Sequence, residues 1–461
     1  MKRGEAGARF DPQFLELKRR KDIRYAKPRY PLTKIGTLAD FIQYGISERA
    51  NTDGAGIPMI RMNNLQPLGW DLSDLKHIEL EEPILSKYRL EPGDILFNRT
   101  NSKELVGKSE VFRQEGDWVF ASYLIRVRLD SHCALPEFVS AFLNTEAGRI
   151  QIDQVSRQIA GMSNVNAEEL KDLEVPLPPV AMQKEVLLEY STDLQSRDQI
   201  LALASELMGG VDAYVLDALQ INPQGESRRV FAVTRAATKK RLDADFNSPQ
   251  FEVLRRSIAR STYGSADLRD VVVSIRSGFA AGSKDQAREG VVSIPHLRPL
   301  NLNGYGELTL KGTKSVPRDG VSEADLLEQG EVLFNNTNSA EWVGKTAVFD
   351  LDVECACSNH MTRIIPTDSI DPYYLAALLN ALRGLGYFKA LSTYFNNQAG
   401  INASTLGELR IPVPPMDIQR KIAEEVQQRK RKARDLQDEA SKIWQAARQR
   451  FEDQLLNGVA P

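Results

Sequence analysis

Gly93-Asp94-Ile95-Leu96-Phe97-Asn98-Arg99-Thr100-Asn101-Ser102 and Gly330-Glu331-Val332-Leu333-Phe334-Asn335-Asn336-Thr337-Asn338-Ser339 are two versions of one segment, separated by 330 − 93 = 237 residues. The likeness runs on into Val106-Gly107-Lys108 and Val343-Gly344-Lys345. Upstream, Ile57-Pro58-Met59-Ile60-Arg61 returns as Ile294-Pro295-His296-Leu297-Arg298, and Pro12-Gln13-Phe14 as Pro249-Gln250-Phe251, at the same offset. Downstream, Val175-Pro176-Leu177-Pro178-Pro179 with Gln183 returns as Ile411-Pro412-Val413-Pro414-Pro415 with Gln419, where 419 − 183 = 236. An ordered set of matches at one offset means duplication, with copies near residues 9–220 and 241–457. The period is far too long for a solenoid repeat, so the copies are domains.

The 461 residues accommodate such a pair, at roughly 100–200 residues per domain. Hydrophobic residues at 42% and charged residues at 26% exclude wholesale disorder. Lys and Arg number 59 against 62 Asp and Glu, a net charge of −3, which excludes a generally basic nucleic-acid coat but not local basic surfaces. Three cysteines, Cys133, Cys355 and Cys357, are too few for a disulfide scaffold, so a reducing compartment is expected. The N-terminus carries no apolar signal region and no run of 18 apolar residues occurs, so the expected location is cytoplasmic with no membrane partner.

Each copy divides the same way. Its first part mixes strand-like alternation, as in Val119 to Val127, with turns and short helices, an α+β pattern rather than a regular βαβ series. Its second part opens at the Pro-Pro pair, which punctuates the entry into a long helix. Leu187, Leu194, Leu201, Met208 and Val215 recur every seven residues in the first helix. In the second, Ile422, Leu436 and Ile443 form one seam and Val426, Ala433, Ala440 and Ala447 another. Small residues on a heptad seam favour close coiled-coil packing, interrupted at Arg197 and Arg429. The expected organisation is an N-terminal domain at 1–178, a helix at 179–220 ended or kinked by Gly209-Gly210, a linker at 221–240, a second domain at 241–414 and a second helix at 415–457 capped at Asn457-Gly458. Pairing the helices antiparallel, between the domains, is the most economical assembly; the alternative is that each helix packs on its own domain.

Catalytic signatures fail one after another. Gly107-Lys108-Ser109 and Gly344-Lys345-Thr346 resemble the end of a phosphate-binding loop, but Ser102 and Ser339 stand where its first glycine belongs, and no helix pattern follows. Cys355, Cys357 and His360 lack a fourth ligand, and the cysteines align with Trp118 and Phe120, so they read as inward-facing core positions. There is no Gly-x-Ser-x-Gly elbow, no His-Glu-x-x-His, no dinucleotide fingerprint and no Asn/Asp-Pro-Pro-aromatic methyltransferase loop. No catalytic residue and no metal ligand is assigned.

What recurs is polar and borne on turns. Arg and Asn read base edges bidentately, while Ser, Thr and Lys commonly meet phosphate. The candidate DNA-binding residues are Arg61, Asn63, Asn98, Arg99, Asn101, Ser102, Lys103, Arg157 and Asn164 in the first copy. In the second they are Arg298, Asn336, Asn338, Asn396, Asn397 and Gln398. Basic clusters at Lys18-Arg19-Arg20-Lys21, Lys239-Lys240-Arg241 and Arg429-Lys430-Arg431-Lys432 are either phosphate-attracting surface or solvated helix faces.

Two divergent domains, each closed by an apolar-Pro-apolar-Pro-Pro…Gln boundary and a long helix, resemble the specificity subunit of type I restriction–modification systems. The Gly-Asp-Ile-Leu-Phe and Gly-Glu-Val-Leu-Phe turns and the Arg241-Leu242-Asp243-Ala244 and Pro249-x-Phe251 run are similar to that family's recurrent pieces. The resemblance covers essentially the whole chain. It implies two target-recognition domains, each reading half of a bipartite, asymmetric site in double-stranded DNA, with two antiparallel helices as a ruler between them. It further implies a non-catalytic subunit that docks methyltransferase and restriction subunits, with Pro178, Pro179, Gln183, Pro414, Pro415 and Gln419 as docking elements. S-adenosylmethionine, ATP and Mg would then be bound by the partners, and no cofactor by this chain. Arg99 and Lys103 become Asn336 and Ala340 in the second copy, so the half-sites should differ. Competing readings are a DNA-binding adaptor of another phage-defence complex and a cryptic nuclease or NTPase.

Overall fold

The computed structural model describes residues 12–51, 54–66, 69–159, 162–222, 230–234, 241–282, 286, 290–395 and 398–456. The chain forms two compact units, Met1–Ile200 with Asp438–Pro461, and Leu201–Gln437. Both boundaries fall inside long helices.

The duplication read from the sequence is a duplication of topology. In the first unit a four-stranded antiparallel sheet runs Ala39–Tyr44, Leu124–Leu129, Ile95–Asn98, Ser109–Val111. A second sheet orders Val119–Phe120, Ile57–Ile60, Lys76–Ile78, its first pair parallel. A third orders Arg157–Ile159, Met162–Asn164, Thr100–Asn101, and Leu32–Lys34 pairs with Glu174–Pro176. The second unit repeats all four: Val272–Ser277, Met361–Pro366, Val332–Asn335, Thr346–Val348; then Lys314–Pro317, Ser293–Leu297, Ala356–Cys357; then Thr337–Asn338, Gln398–Gly400, Thr393–Phe395; and Ser265–Asp267 with Arg410–Pro412. The fold is α+β in both.

The quoted segments are the central strands and the turns after them. Ile95 to Phe97 and Val332 to Phe334 are fully buried, which explains their unbroken apolar run. Gly107 and Gly344 sit at φ +82° and +87°, and a Cβ there would strike Ile152 and Phe388 respectively. The following lysines turn inward: Lys108 Nζ donates to the Leu65 carbonyl at 3.2 Å and Lys345 Nζ to that of Leu302 at 2.7 Å. A pair so disposed ties a loop to the sheet and presents nothing to a nucleotide.

Cys355 and Cys357 lie in one apolar cluster with Leu297, Leu333 and Phe349, as Phe120 and the partly buried Trp118 lie in the matching cluster of the first unit. Burial pushes the Cys355 thiol up to about 11 and that of Cys357 up to about 12. Both stay protonated at pH 8 and out of reach of reagent. Alkylation of the native protein at pH 8 should therefore modify Cys133, which is exposed, and spare the other two until the protein is denatured. Mass spectrometry showing three rapid adducts would contradict this. Because both folded values are raised, their contribution to stability is intact below the ordinary thiol pKa of about 8.5 and is lost as pH climbs toward 11.

The long helices are Val180–Gly209 and Met416–Leu456. Gly209 closes the first, and Val211–Ala218 follows as a separate short helix. The expected cap at Asn457-Gly458 lies outside the described residues. In the second helix the alanine seam is as read: Val426, Ala433, Ala440 and Ala447 are buried. In the first, the leucine row from Leu187 to Met208 is only half-buried, and the buried row is Gln183, Arg197, Ala204 and Val211. The seam lies one step round the helix because Gln183 locks the helix start inward, and Arg197 follows it two heptads later. Counting apolar residues misses a seam whose members include Gln and Arg. Within the first unit the helices run antiparallel: Glu189 accepts from Gln454 at 2.7 Å and Asp193 pairs with Arg450. Tyr190 and Phe451 rings meet at 5.1 Å between centroids. Within the second, Arg429 Nη1 donates to the Gly210 carbonyl at 3.3 Å. An 18-residue window of Val180–Ala218 reaches a mean hydropathy of 1.2, high enough by composition for a membrane span and not anticipated above. Only 22% of that window is buried among the described residues, and Leu188 and Leu203 are exposed, so packing within the chain covers a small part of its apolar surface.

Candidate nucleic-acid interface

Two polar stretches about 60 residues apart in the chain were singled out separately, and the fold joins them. Asn101 pairs with Ser163 and Thr100 with Asn164 in the small third sheet, whose outer strand begins at Arg157. The same sheet in the second unit pairs Thr337 with Gly400 and Asn338 with Ala399. Its hairpin aligns with the first at an offset of 398 − 162 = 236, so Thr393 takes the place of Arg157. Asn396 and Asn397, which align in sequence with Ala160-Gly161, lie outside the described residues.

The candidates separate into surface groups and supports. Arg157 is exposed and paired with Glu169 at 2.9 Å. Lys103 is half-buried, while Asn63 and Gln398 are exposed. Asn101 and Asn338 make the same local turn, each side-chain Oδ1 accepting from the backbone N–H of the next residue (Ser102, Ser339) at 2.8 Å. Arg99 is a support: its guanidinium donates to Asn164 Oδ1 at 3.2 Å and the Ser122 carbonyl at 3.3 Å, over the Tyr44 ring. Asn336, at the position equivalent to Arg99, is buried and donates to the Asn359 carbonyl and Thr362 Oγ1, both at 3.0 Å. Asn98 is wholly buried. In this structure Asn98 and Asn336 are buried away from the surface, and the Asn336 amide ties the strand that carries the turn to its neighbours.

Arg61 lies in the neighbourhood of the second sheet, held by the Asp74 carboxylate at 2.8 Å, and Arg298 is its counterpart, donating to the Gly312 carbonyl at 3.2 Å. Of the described members of the basic clusters, Arg19 pairs with Glu16, Arg20 with Glu146, Lys21 with Glu174, Arg241 with Asp243 and Arg429 with Glu425, and Lys430 is buried, whereas Arg431 and Lys432 are exposed; Lys239 and Lys240 lie outside the described residues. Sequence reading missed the exposed aromatics: Tyr394 and Phe395 on the small sheet of the second unit, Tyr123 beside the Arg99 support in the first. Aromatic faces of this kind stack on bases or ribose. Their signal was Tyr394-Phe395 running directly into Asn396-Asn397.

The Pro-Pro boundaries are built alike. Pro179 and Pro415 are exposed, whereas Pro178 and Pro414 are buried. Gln183 and Gln419 are buried with every amide bond made inside the protein. Gln183 accepts from the Leu135 amide at 2.9 Å and donates to the carbonyls of Cys133 and Pro178. Gln419 accepts from the Asp371 amide at 2.8 Å and donates to those of Ser369 and Pro414. Each glutamine pins a helix start to its own domain. Gln183→Leu leaves three backbone groups without partners at about 1–3 kcal/mol each, so a loss of at least about 2 kcal/mol is expected in chemical denaturation. A neutral effect would show that the clamp is dispensable.

The family described as the type I restriction–modification DNA specificity domain matches the chain twice, over residues 32–188 and 302–439. The chain belongs to this family. The specificity subunit of the type I restriction enzyme EcoKI from Escherichia coli (strain K12) is 30% identical over 149 residues, 32% of each chain. That of StySPI from Salmonella potsdam is 29% identical over 157 residues, 34% of each. The aligned region thus spans about a third of each relative's length. A solved type I restriction–modification S subunit from M. genitalium is 13% identical with a TM-score of 0.42, covering 94% of this chain and 97% of its own. The two matched stretches of the specificity family contain both quoted central strands or their surroundings, and both Pro-Pro boundaries with their glutamine clamps.

Proposed function

We propose that this chain is the non-catalytic DNA-recognition subunit of a type I restriction–modification complex, reading a bipartite, asymmetric site in double-stranded DNA. The observation that carries the reading is one polar three-stranded sheet built twice on the same scaffold with different side chains. Arg157 in one stands against Thr393 in the other, and a half-exposed Arg99 against a buried Asn336. A scaffold held constant while its polar edge changes suits two readers of different half-sites. Phosphate contacts would fix register, and Arg, Asn and Gln on the edge would read bases. Methyltransferase and restriction subunits would dock on the exposed helix faces and the Pro-Pro corners, bringing S-adenosylmethionine, ATP and Mg with them, in the cytoplasm.

Methylome sequencing of cells carrying this chain with its modification partner tests the reading. Two half-motifs separated by a fixed gap are expected. Exchanging the 93–164 region with 330–400 should make the two half-motifs change sides across the gap. A single continuous motif, or methylation unaffected by deleting this chain, would refute it.

A further inference from the structure

We infer that the second unit holds a phosphate-binding pocket that the first unit lacks, formed by His296, Arg298, Lys314 and Ser358. The four line a cavity of about 310 Å³ beside the strands Ser293–Leu297 and Lys314–Pro317, with Asn359 and His360 at its exposed side.

Two buried polar atoms in this cavity have no partner. His296 is 3% exposed with its Nε2 unbonded, and Ser358 is 4% exposed with its Oγ unbonded. A buried polar atom left unpaired costs free energy, so two of them lining one cavity mark a place where a ligand completes the bonding. Arg298 contributes a guanidinium whose Nε is also unpartnered. Lys314, exposed and opposite His296 across the antiparallel pair, adds a second cation. The described lining residues include two cations and no carboxylate, a set that suits an anion. The guanidinium, ammonium and hydroxyl together match the several acceptor oxygens of a phosphate group.

The first unit supplies the contrast. The position of His296 is Met59 there, that of Ser358 is Ala121, and that of Phe279, whose ring centroid lies 4.8 Å from that of His296 at a 40° tilt, is Ile46. Met59, Ala121 and Ile46 pack together in one apolar cluster. The same corner of the fold closes perfectly well without polar groups, so His296 and Ser358 are not demanded by folding. Burial holds the His296 pKa below its ordinary value, so the unliganded ring is neutral at pH 7 and the pocket carries no third charge to repel a cationic neighbour.

The phosphate could come from a DNA backbone or from a free phosphate or mononucleotide; the DNA source alone rests on the proposed function. The test is titration of the full chain with inorganic phosphate at constant ionic strength, with chloride as control, followed by calorimetry. Saturable binding is expected for the wild type. His296→Met/Ser358→Ala, which copies the apolar corner of the first unit and so should fold, should weaken it about tenfold or more, the equivalent of one charge-assisted hydrogen bond. Lys314→Ala, a surface change, should weaken it by a smaller factor. No saturable binding by the wild type, or equal binding by the double variant, overturns the pocket whatever the chain's role on DNA. Where phosphate binds, displacement by duplex DNA assigns the site to the backbone, and displacement by a mononucleotide alone assigns it to a free ligand.

Discussion

Arg363→Met is expected to destabilise the second unit by about 3–5 kcal/mol, because it strands the Glu331 carboxylate in the core. The pair is almost wholly buried, with side chains 2% and 3% exposed. Arg363 Nε donates to Glu331 at 2.7 Å, and the guanidinium also donates to the carbonyls of Ala324 at 2.9 Å and Leu326 at 2.6 Å. Removing it uncovers a buried charge and two backbone acceptors together. Arg363→Met/Glu331→Leu should recover much of the loss, since an apolar pair of similar volume no longer leaves a charge unsolvated. The first unit offers the control. Its equivalent carboxylate, Asp94, has two arginines: Arg128 bonds it at 2.7 and 2.9 Å, and Arg126 stands 3.6 Å away. Arg126→Met leaves Asp94 paired, so a smaller loss of about 1–3 kcal/mol is expected. Hydrogen exchange on Val332–Asn335 and Ile95–Asn98 would follow each unit separately. Equal protection in Arg363→Met and wild type would contradict the argument.

Seven residues inserted after Ile200, matched by seven inserted before Asp438, should lengthen the gap between methylated half-motifs by about three base pairs. Each insertion adds ~1.5 Å per residue, ~10 Å in all, against ~34–36 Å for 10–10.5 base pairs. Both sites lie in long helices at the boundaries between the compact units, away from the glutamine clamps. Seven keeps the seam of Ala433, Ala440 and Ala447 in phase, whereas four rotates it by about 40° at 3.6 residues per turn. Lengthening one helix alone puts the seams out of step and should abolish modification. The half-motifs themselves should not change. A gap of unaltered length in the doubly extended protein would sink the idea that the helices measure it.

The duplication was legible because it rests on backbone requirements. Gly107 and Gly344 need positive φ, central strands need unbroken apolar runs, and Pro-Pro marks the helix entry in both copies. The polar sheet was half legible: its residues stand out as polar stretches read as turns, but their pairing as strands is a long-range contact that no local pattern encodes. The division of the candidates into surface groups and supports was not legible at all. Arg99 and Asn336 occupy equivalent positions, yet one is half-exposed and the other buried, because the surroundings rather than the residue type decide. The helix seam was misread for a related reason, since hydropathy gives no credit to the buried amide of Gln183 or to a buried Arg197.

Those two glutamines have a consequence for how the protein responds to salt. Contacts with phosphate weaken steeply as salt rises, and exposed ion pairs are screened within about 8–10 Å. An amide carries no net charge, and the joints at Gln183 and Gln419 are made wholly of neutral hydrogen bonds sealed from solvent. If the chain grips DNA as proposed, rising ionic strength would loosen that grip while leaving these two neutral joints intact. On the proposed role, grip would then vary with salt while the two joints at the helix starts keep their setting.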